Sequence, residues 1–196
     1  MPKQVDHQER RQRIADAVCR LVARQGLEAV TLRHIAAEAG VSMGQVQHYF
    51  ATKDEMLLFA FHAFIERSER RLIAAVTAAG PEPSPRSLLR HLTSLDEESR
   101  AEAPLWLAFL AGAAVQPRLA ALQREGGTGM IDFLAAYIRQ AQAAGRAPAC
   151  LDPEREAVTL LALADGLMIA QLIGHVDAAT ALSAMDSQLD RIFPTD

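Results

Sequence analysis

The 196-residue sequence predicts an all-α fold: a small N-terminal helix-turn-helix domain followed by a larger helical domain. Three observations carry this. Alanine, the strongest helix former, occurs 37 times. Aromatic residues, which sheets favour, are 5% of the chain. Helix-start and helix-stop signals recur from one end to the other. With half of its residues apolar and 22% charged, the chain has enough apolar surface for a core and does not fit a disordered or fibrous class.

The first helix is expected over 7–25. Asp6 and Glu9 have capping-box spacing, Ile14, Val18, Leu21, Val22 and Gln25 trace one face, and Gly26 closes it. Thr31 can N-cap a short second helix that turns Leu32, Ile35, Ala36 and Ala39 inward and ends at Gly40. Ser42 with Gln45, then Thr52 with Glu55, repeat the S/T-x-x-Q/E box and start two more helices ten residues apart. The third helix is therefore limited to about two turns. A fourth should run from Lys53 to about Ala79, carrying Leu57, Phe61, Phe64, Leu72 and Val76, until Gly80-Pro81-Glu82-Pro83-Ser84-Pro85 breaks it. Further helices are expected at 86–97, 99–115, 117–144, 153–174 and 178–193. Gly126, Gly127 and Gly129 are placed to split the 117–144 segment, since each costs about 1 kcal/mol relative to alanine inside a helix.

Charge is distributed unevenly. Residues 1–50 hold seven Lys/Arg and five Asp/Glu, so they carry +2, and the remainder carries −6 of the net −4. The longest apolar stretch, 157–174, has Asp165 at its centre. A central charge costs about 2.5–3.5 kcal/mol on insertion, so this segment reads as a buried helix and no membrane partner is expected. The N-terminus has no apolar segment of a secretory signal, and Cys19 and Cys150 belong to no CxxC pair, so a cytoplasmic chain with reduced thiols is expected. The six histidines lack ligand spacing, and no nucleophile-base pattern is present. No metal, no cofactor and no enzymatic activity are expected.

The segment from Thr31 to Phe50 is the most informative. A helix-turn-helix needs small residues where its helices cross, a glycine in the turn and an aliphatic residue under the second helix. Ala36, Gly40 and Val46 stand there. The exposed face of the second helix then carries Met43, Gln45, Gln47 and His48, whose side chains reach base edges. Gln45 has two open readings: a bidentate amide on adenine, or closure of the Ser42 box. Lys53, at a helix start, suits a phosphate. Arg10, Arg11 and Arg13 are either a basic arm or ordinary exposed arginines.

The run Thr31-Leu32-Arg33-His34-Ile35-Ala36-Ala37-Glu38-Ala39-Gly40-Val41-Ser42-Met43-Gly44, with His48-Tyr49-Phe50 and Lys53-Asp54-Glu55-Met56-Leu57, closely resembles the signature of the TetR family of transcriptional regulators. Leu95-Asp96-Glu97-Glu98 and Trp106-Leu107-Ala108-Phe109 resemble its branch with BetI-like ligand domains. The resemblance implies a DNA-binding domain over 1–52 and an effector-binding and dimerisation domain over 53–196. It adds Thr31, Arg33, Ser42, a phosphate contact from Tyr49 and Lys53 to the DNA-facing set, with Phe50 in the core. One departure is Gln47, where many members carry a tyrosine.

Effector candidates on the helices that line the cavity in that family are Phe64, Trp106, Phe109 and Leu110, then Met130, Phe133 and Tyr137, and finally Met168, Gln171 and His175. Any one of them alone is better explained by core packing. Together they suggest an apolar pocket with polar anchors and a hydrophobic or amphipathic effector. Ala157, Leu160, Leu161, Ala164, Leu167, Met168 and Leu172, then Ala178, Leu182, Met185, Leu189 and Ile192, form apolar stripes that either make a homodimer seam or close the monomer core. The expected function is a regulator, a repressor released from a palindromic double-stranded operator by a small molecule. The alternative is a helical carrier or scaffold for apolar molecules without DNA.

Overall fold

A computed structural model describes residues 2–28, 30–78 and 84–194. Among these, nine helices and no strands occur: α1 (Pro2–Gln25), α2 (Leu32–Ala39), α3 (Met43–Tyr49), α4 (Lys53–Ala78), α5 (Pro85–Thr93), α6 (Glu97–Val115), α7 (Pro117–Ala143), α8 (Pro153–Leu172) and α9 (Ala178–Ile192). The Asp6 side chain of the expected first capping box, the Val76 side chain and the Gly80–Pro83 part of the expected break lie outside the described residues.

Besides shifts of one or two residues at several helix ends, the helices differ from the sequence expectation in three ways. The first helix already begins at Pro2 rather than at 7. The fifth ends at Thr93 rather than at 97, because Asp96 accepts the Ser99 backbone N–H at 2.7 Å and so caps the next helix instead of ending the previous one. The 117–144 segment is not split: α7 runs unbroken through Gly126, Gly127 and Gly129, and none of these has a neighbour within 4 Å of where a Cβ would stand.

The chain divides into two packing units. Met1–Glu69 with Ala101–Gln123 form one; Arg70–Arg100 with Arg124–Asp196 form the other. In the first, Ile14, Val18, Leu21 and Val22 of α1 are buried with Ile35, Ala36 and Ala39 of α2 and with Val46 and Phe50 around α3. The start of α4 adds Met56, Leu57, Ala60, Phe61 and Phe64, and α6 adds Leu105 and Phe109. Gly112 brings α6 so close that a Cβ there would lie 2.7 Å from Leu27 Cδ1.

The second unit centres on Leu88, Leu89, Leu134, Ile138, Leu160 and Ala164. Met185, Leu189 and Ile192 of α9 are fully buried among them. The 4-3-4-3 stripe of α9 is therefore largely core of a single subunit, while Ala179, Thr180, Ser183, Ala184 and Ser187 are exposed. Apolar residues left outside include Val158 of α8 and its C-cap Ile173, 51% and 56% exposed, with Ile73 of α4 and Phe133 of α7. No single helix among the described residues is long and apolar enough to cross a membrane.

Candidate DNA interface and effector region

A seven-residue helix is too short to hold itself together in water, so α3 depends on its ends and its neighbours. At its start the turn is set by Gly40, whose φ of 66° is the left-handed conformation that a side chain resists, and whose N–H caps α2. Ser42 Oγ accepts the Gln45 N–H at 3.2 Å while Gln45 Oε1 accepts the Ser42 N–H at 2.9 Å. The capping box is complete. Val46 is the only residue of α3 buried in the core.

The far end of α3 is held by residues that the sequence did not single out for this. The Arg11 guanidinium of α1 lies over the Phe50 ring at 4.7 Å and over the Phe59 ring at 4.5 Å. Its Nη2 donates to Glu55 Oε1 at 3.2 Å. Glu55 Oε2 in turn accepts the Ala51 N–H at 2.9 Å, and the Glu55 N–H donates to Thr52 Oγ1 at 3.0 Å. Arg11 is thus a clamp joining α1 to the α3–α4 corner, neither a basic arm nor an idle surface arginine. His7 packs edge-on against Tyr49 at 4.8 Å, and His48 does so at 5.2 Å from the other side. A second clamp fixes α2 to α1: Arg20 and Arg24 both donate to Glu38, at 2.7 and 2.5 Å, and hold its carboxyl below the usual range.

Most of the residues expected at DNA are exposed. Arg33, Ser42, Gln45, Gln47, His48 and Lys53 are exposed, as is Thr31, whose Oγ1 accepts the His34 N–H at 3.3 Å. Met43 is 53% exposed, unusual for a methionine, and Tyr49 is half-buried. Phe50 is buried, as its core assignment requires. Lys53 opens α4, where backbone N–H groups and the helix dipole favour an anion.

The expected effector residues divide between the units. Phe64 and Phe109 belong to the aromatic core of the first, together with Phe61, which stacks on Phe109 at 4.2 Å; Trp106 packs beside Phe64 at 6.3 Å and Leu110 is exposed. Met130, Phe133, Tyr137, Met168, Gln171 and His175 belong to the second. There Met130 packs on the core, Tyr137 meets Phe193 edge-on at 5.7 Å, Met168 is half-buried, and Phe133 and His175 are exposed. Gln171 is buried, and its Nε2 donates to the Thr93 carbonyl at 2.6 Å and the Leu167 carbonyl at 3.2 Å. A groove of about 420 Å³ on the outward face of α5, against Ala75 of α4, is lined by none of the ten. Among the described residues no cluster of His, Cys, Asp or Glu has the makings of a metal site. Cys19 is buried, donates to the Ala60 carbonyl, and is pushed up to about 12 by its burial, which leaves it unreactive.

Known proteins resemble this chain along its length. The model for the N-terminal domain of bacterial regulatory proteins of the tetR family matches residues 14–59. The model for the C-terminal domain of BetI-type transcriptional repressors matches residues 81–194, more than half of the chain. The chain belongs to the TetR family. The regulator PksA of Bacillus subtilis (strain 168) is 33% identical over 177 residues, spanning 90% of this chain and 85% of its own. The regulator BetI of Burkholderia mallei (strain NCTC 10229) is 32% identical over 201 residues, or 98% and 97% of the two chains. A transcriptional regulator from Rhodococcus sp. Rha1 of known structure is 31% identical, with a TM-score of 0.76 over 93% of this chain and 95% of its own. As a TetR-family protein the chain is a DNA-binding transcriptional regulator and not an enzyme, which sets aside the carrier alternative. Members of the family bind operators, typically as dimers, and respond to small molecules.

One group in the second unit invites a direct test. Asp165 is half-buried on α8 between Leu161 and Ile169, and burial pushes its carboxyl above the usual value with no opposing charge. Ionising it therefore costs stability. The native chain is at its most favourable below the unfolded carboxylate pKa of about 3.9, and loses this contribution as pH rises from there through the raised value. Asp165→Asn should stabilise the chain at neutral pH, and the gain should shrink toward pH 4. Urea unfolding of both chains across that range checks this; a difference that does not vary with pH contradicts it.

Proposed function

We propose that the chain is a homodimeric, cytoplasmic repressor that reads a palindromic operator with α3 and leaves it when a small molecule binds the C-terminal domain. In this reading residues 1–52 contact DNA and 53–196 bind the effector and the second subunit. The observation that carries it is the exposed face of α3: Met43, Gln45, Gln47 and His48 stand outside while Val46 alone points in. A helix presented that way enters a major groove, with Tyr49, Lys53, Thr31 and Arg33 placed for the flanking phosphates.

The capping box narrows what Gln45 reads. Its oxygen already accepts the Ser42 N–H with one lone pair, so its Nε2 is the group wholly free for DNA. That amide donates to guanine O6 or N7, thymine O4 or a phosphate, whereas a bidentate grip on adenine needs the oxygen as well. Capping and reading are thus compatible.

The second subunit is assigned to α8. Around this helix Ala157, Leu160 and Ala164 face the subunit's own core, while Val158, Leu161, Ala162, Ile169 and Ile173 make a second apolar face that the subunit leaves partly or fully uncovered. A two-fold contact covers such a face with its own copy. An effector then acts by favouring the dimer conformation whose recognition helices mismatch the operator spacing.

Two experiments test this reading. A fragment selected from genomic DNA should be bound with a strong dependence on salt. Lys53→Ala should lower the slope of log K against log salt by about 0.9 for each phosphate that the lysine no longer neutralises, on every sequence alike. Gln45→Ala should cost about 1–3 kcal/mol on the selected operator and much less on unrelated DNA. Equal weakening on both DNAs means that Gln45 only caps. For assembly, Val158→Lys with Ile173→Lys should give a folded monomer by sedimentation, since both side chains are exposed in one subunit; a dimer of undiminished stability rules out the α8 face.

A further inference from the structure

We propose that the groove on the outward face of α5 binds a small organic anion, a carboxylate or phosphate monoester, which grips the free edge of Arg90 and competes with Asp186 and Asp190 for Arg86. This rests on the assignment of effector binding to the C-terminal domain. The groove's volume of about 420 Å³ lies within the usual range for small-molecule sites. Its α5 wall is made of Arg86, Ser87, Arg90, His91 and Ser94, with Ser84 at the N-cap. Among the described residues no carboxylate lines it. That helix turns Leu88 and Leu89 to the core and leaves Arg86, Arg90 and His91 toward the groove, where the Ser84, Ser87 and Ser94 hydroxyls bond locally.

The arginines are already half engaged. Arg86 Nη1 and Nη2 donate to Asp186 at 3.4 Å and to Asp190 at 2.5 Å, and Arg90 Nη1 donates to Asp186 Oδ2. No described residue takes the Nε and Nη2 of Arg90, the side-on edge with which a guanidinium grips a carboxylate or phosphate through two parallel bonds. The pairs are weakly held, because the two arginine side chains are 35% and 45% exposed and water screens ion pairs in that setting. An anion gripping Arg90 and drawing Arg86 from α9 loses little by the exchange. The tie between α5 and α9 is then released, which gives the ligand a means of changing the C-terminal domain.

Calorimetric titration of the full chain tests this, with benzoate and phenyl phosphate as the two anionic probes and benzyl alcohol as the neutral one, at matched ionic strength. Binding of either anion without benzyl alcohol supports the site and tells carboxylate from phosphate recognition. Arg90→Met should weaken the anion about tenfold. Arg90→Lys, a folding control that keeps the charge without the fork, should lose most of that affinity too. Asp186→Asn should tighten the anion about threefold by removing its competitor. A merely structural role for the aspartate predicts no such gain. Failure of both anions to bind, equal binding of benzyl alcohol, or no tightening in Asp186→Asn overturns the proposal. Operator binding by the same preparation is read separately by fluorescence anisotropy. A chain that binds DNA but neither anion loses only this site; one that binds an anion and no DNA fragment contradicts the repressor reading alone.

Discussion

The structure turns on a helix that cannot stand alone. α3 has seven residues and buries a single side chain, and in the proposed function the surface left uncovered is the one that enters the DNA groove. Hydrophobic burial therefore does little to hold it. Its rigidity comes from its ends: the Gly40 turn and the Ser42–Gln45 box at the start, and the Arg11 clamp over Phe50, Phe59 and Glu55 at the finish. α1, α4 and α6 serve this helix by packing a common core beneath it.

What was legible in the sequence follows from how far each interaction reaches. Caps act over three residues, so Thr31, Ser42 and Thr52 announce their helices in the order of the chain itself. Arg11 and Glu55 are 44 residues apart, and no local pattern distinguishes that arginine from Arg10 or Arg13 beside it. The glycines of α7 show the converse. Their local cost is real, yet the helix continues through them, as tertiary context overrides propensity.

Periodicity had a different limit. It identifies which face of a helix is apolar but not what covers it. Met185 and Leu189 are spaced like a seam and lie inside one subunit, whereas α8 carries two apolar faces that no single stripe reveals. Phe64 and Phe109 likewise prove to be core beneath the recognition unit. The α5 groove escaped notice because its arginines, Arg86 and Arg90, face aspartates about a hundred residues away.

The central claim is that Arg11 holds the recognition helix in its reading position. Hydrogen exchange on Arg11→Leu, with operator affinity measured on the same sample, tests it most directly. Removing the stacking and the ion pair, about 1–2 kcal/mol, should release the amides of Val46 and Phe50 and weaken operator binding about tenfold while the amides of α8 keep their protection. Native protection in α3 together with native operator affinity would contradict the account.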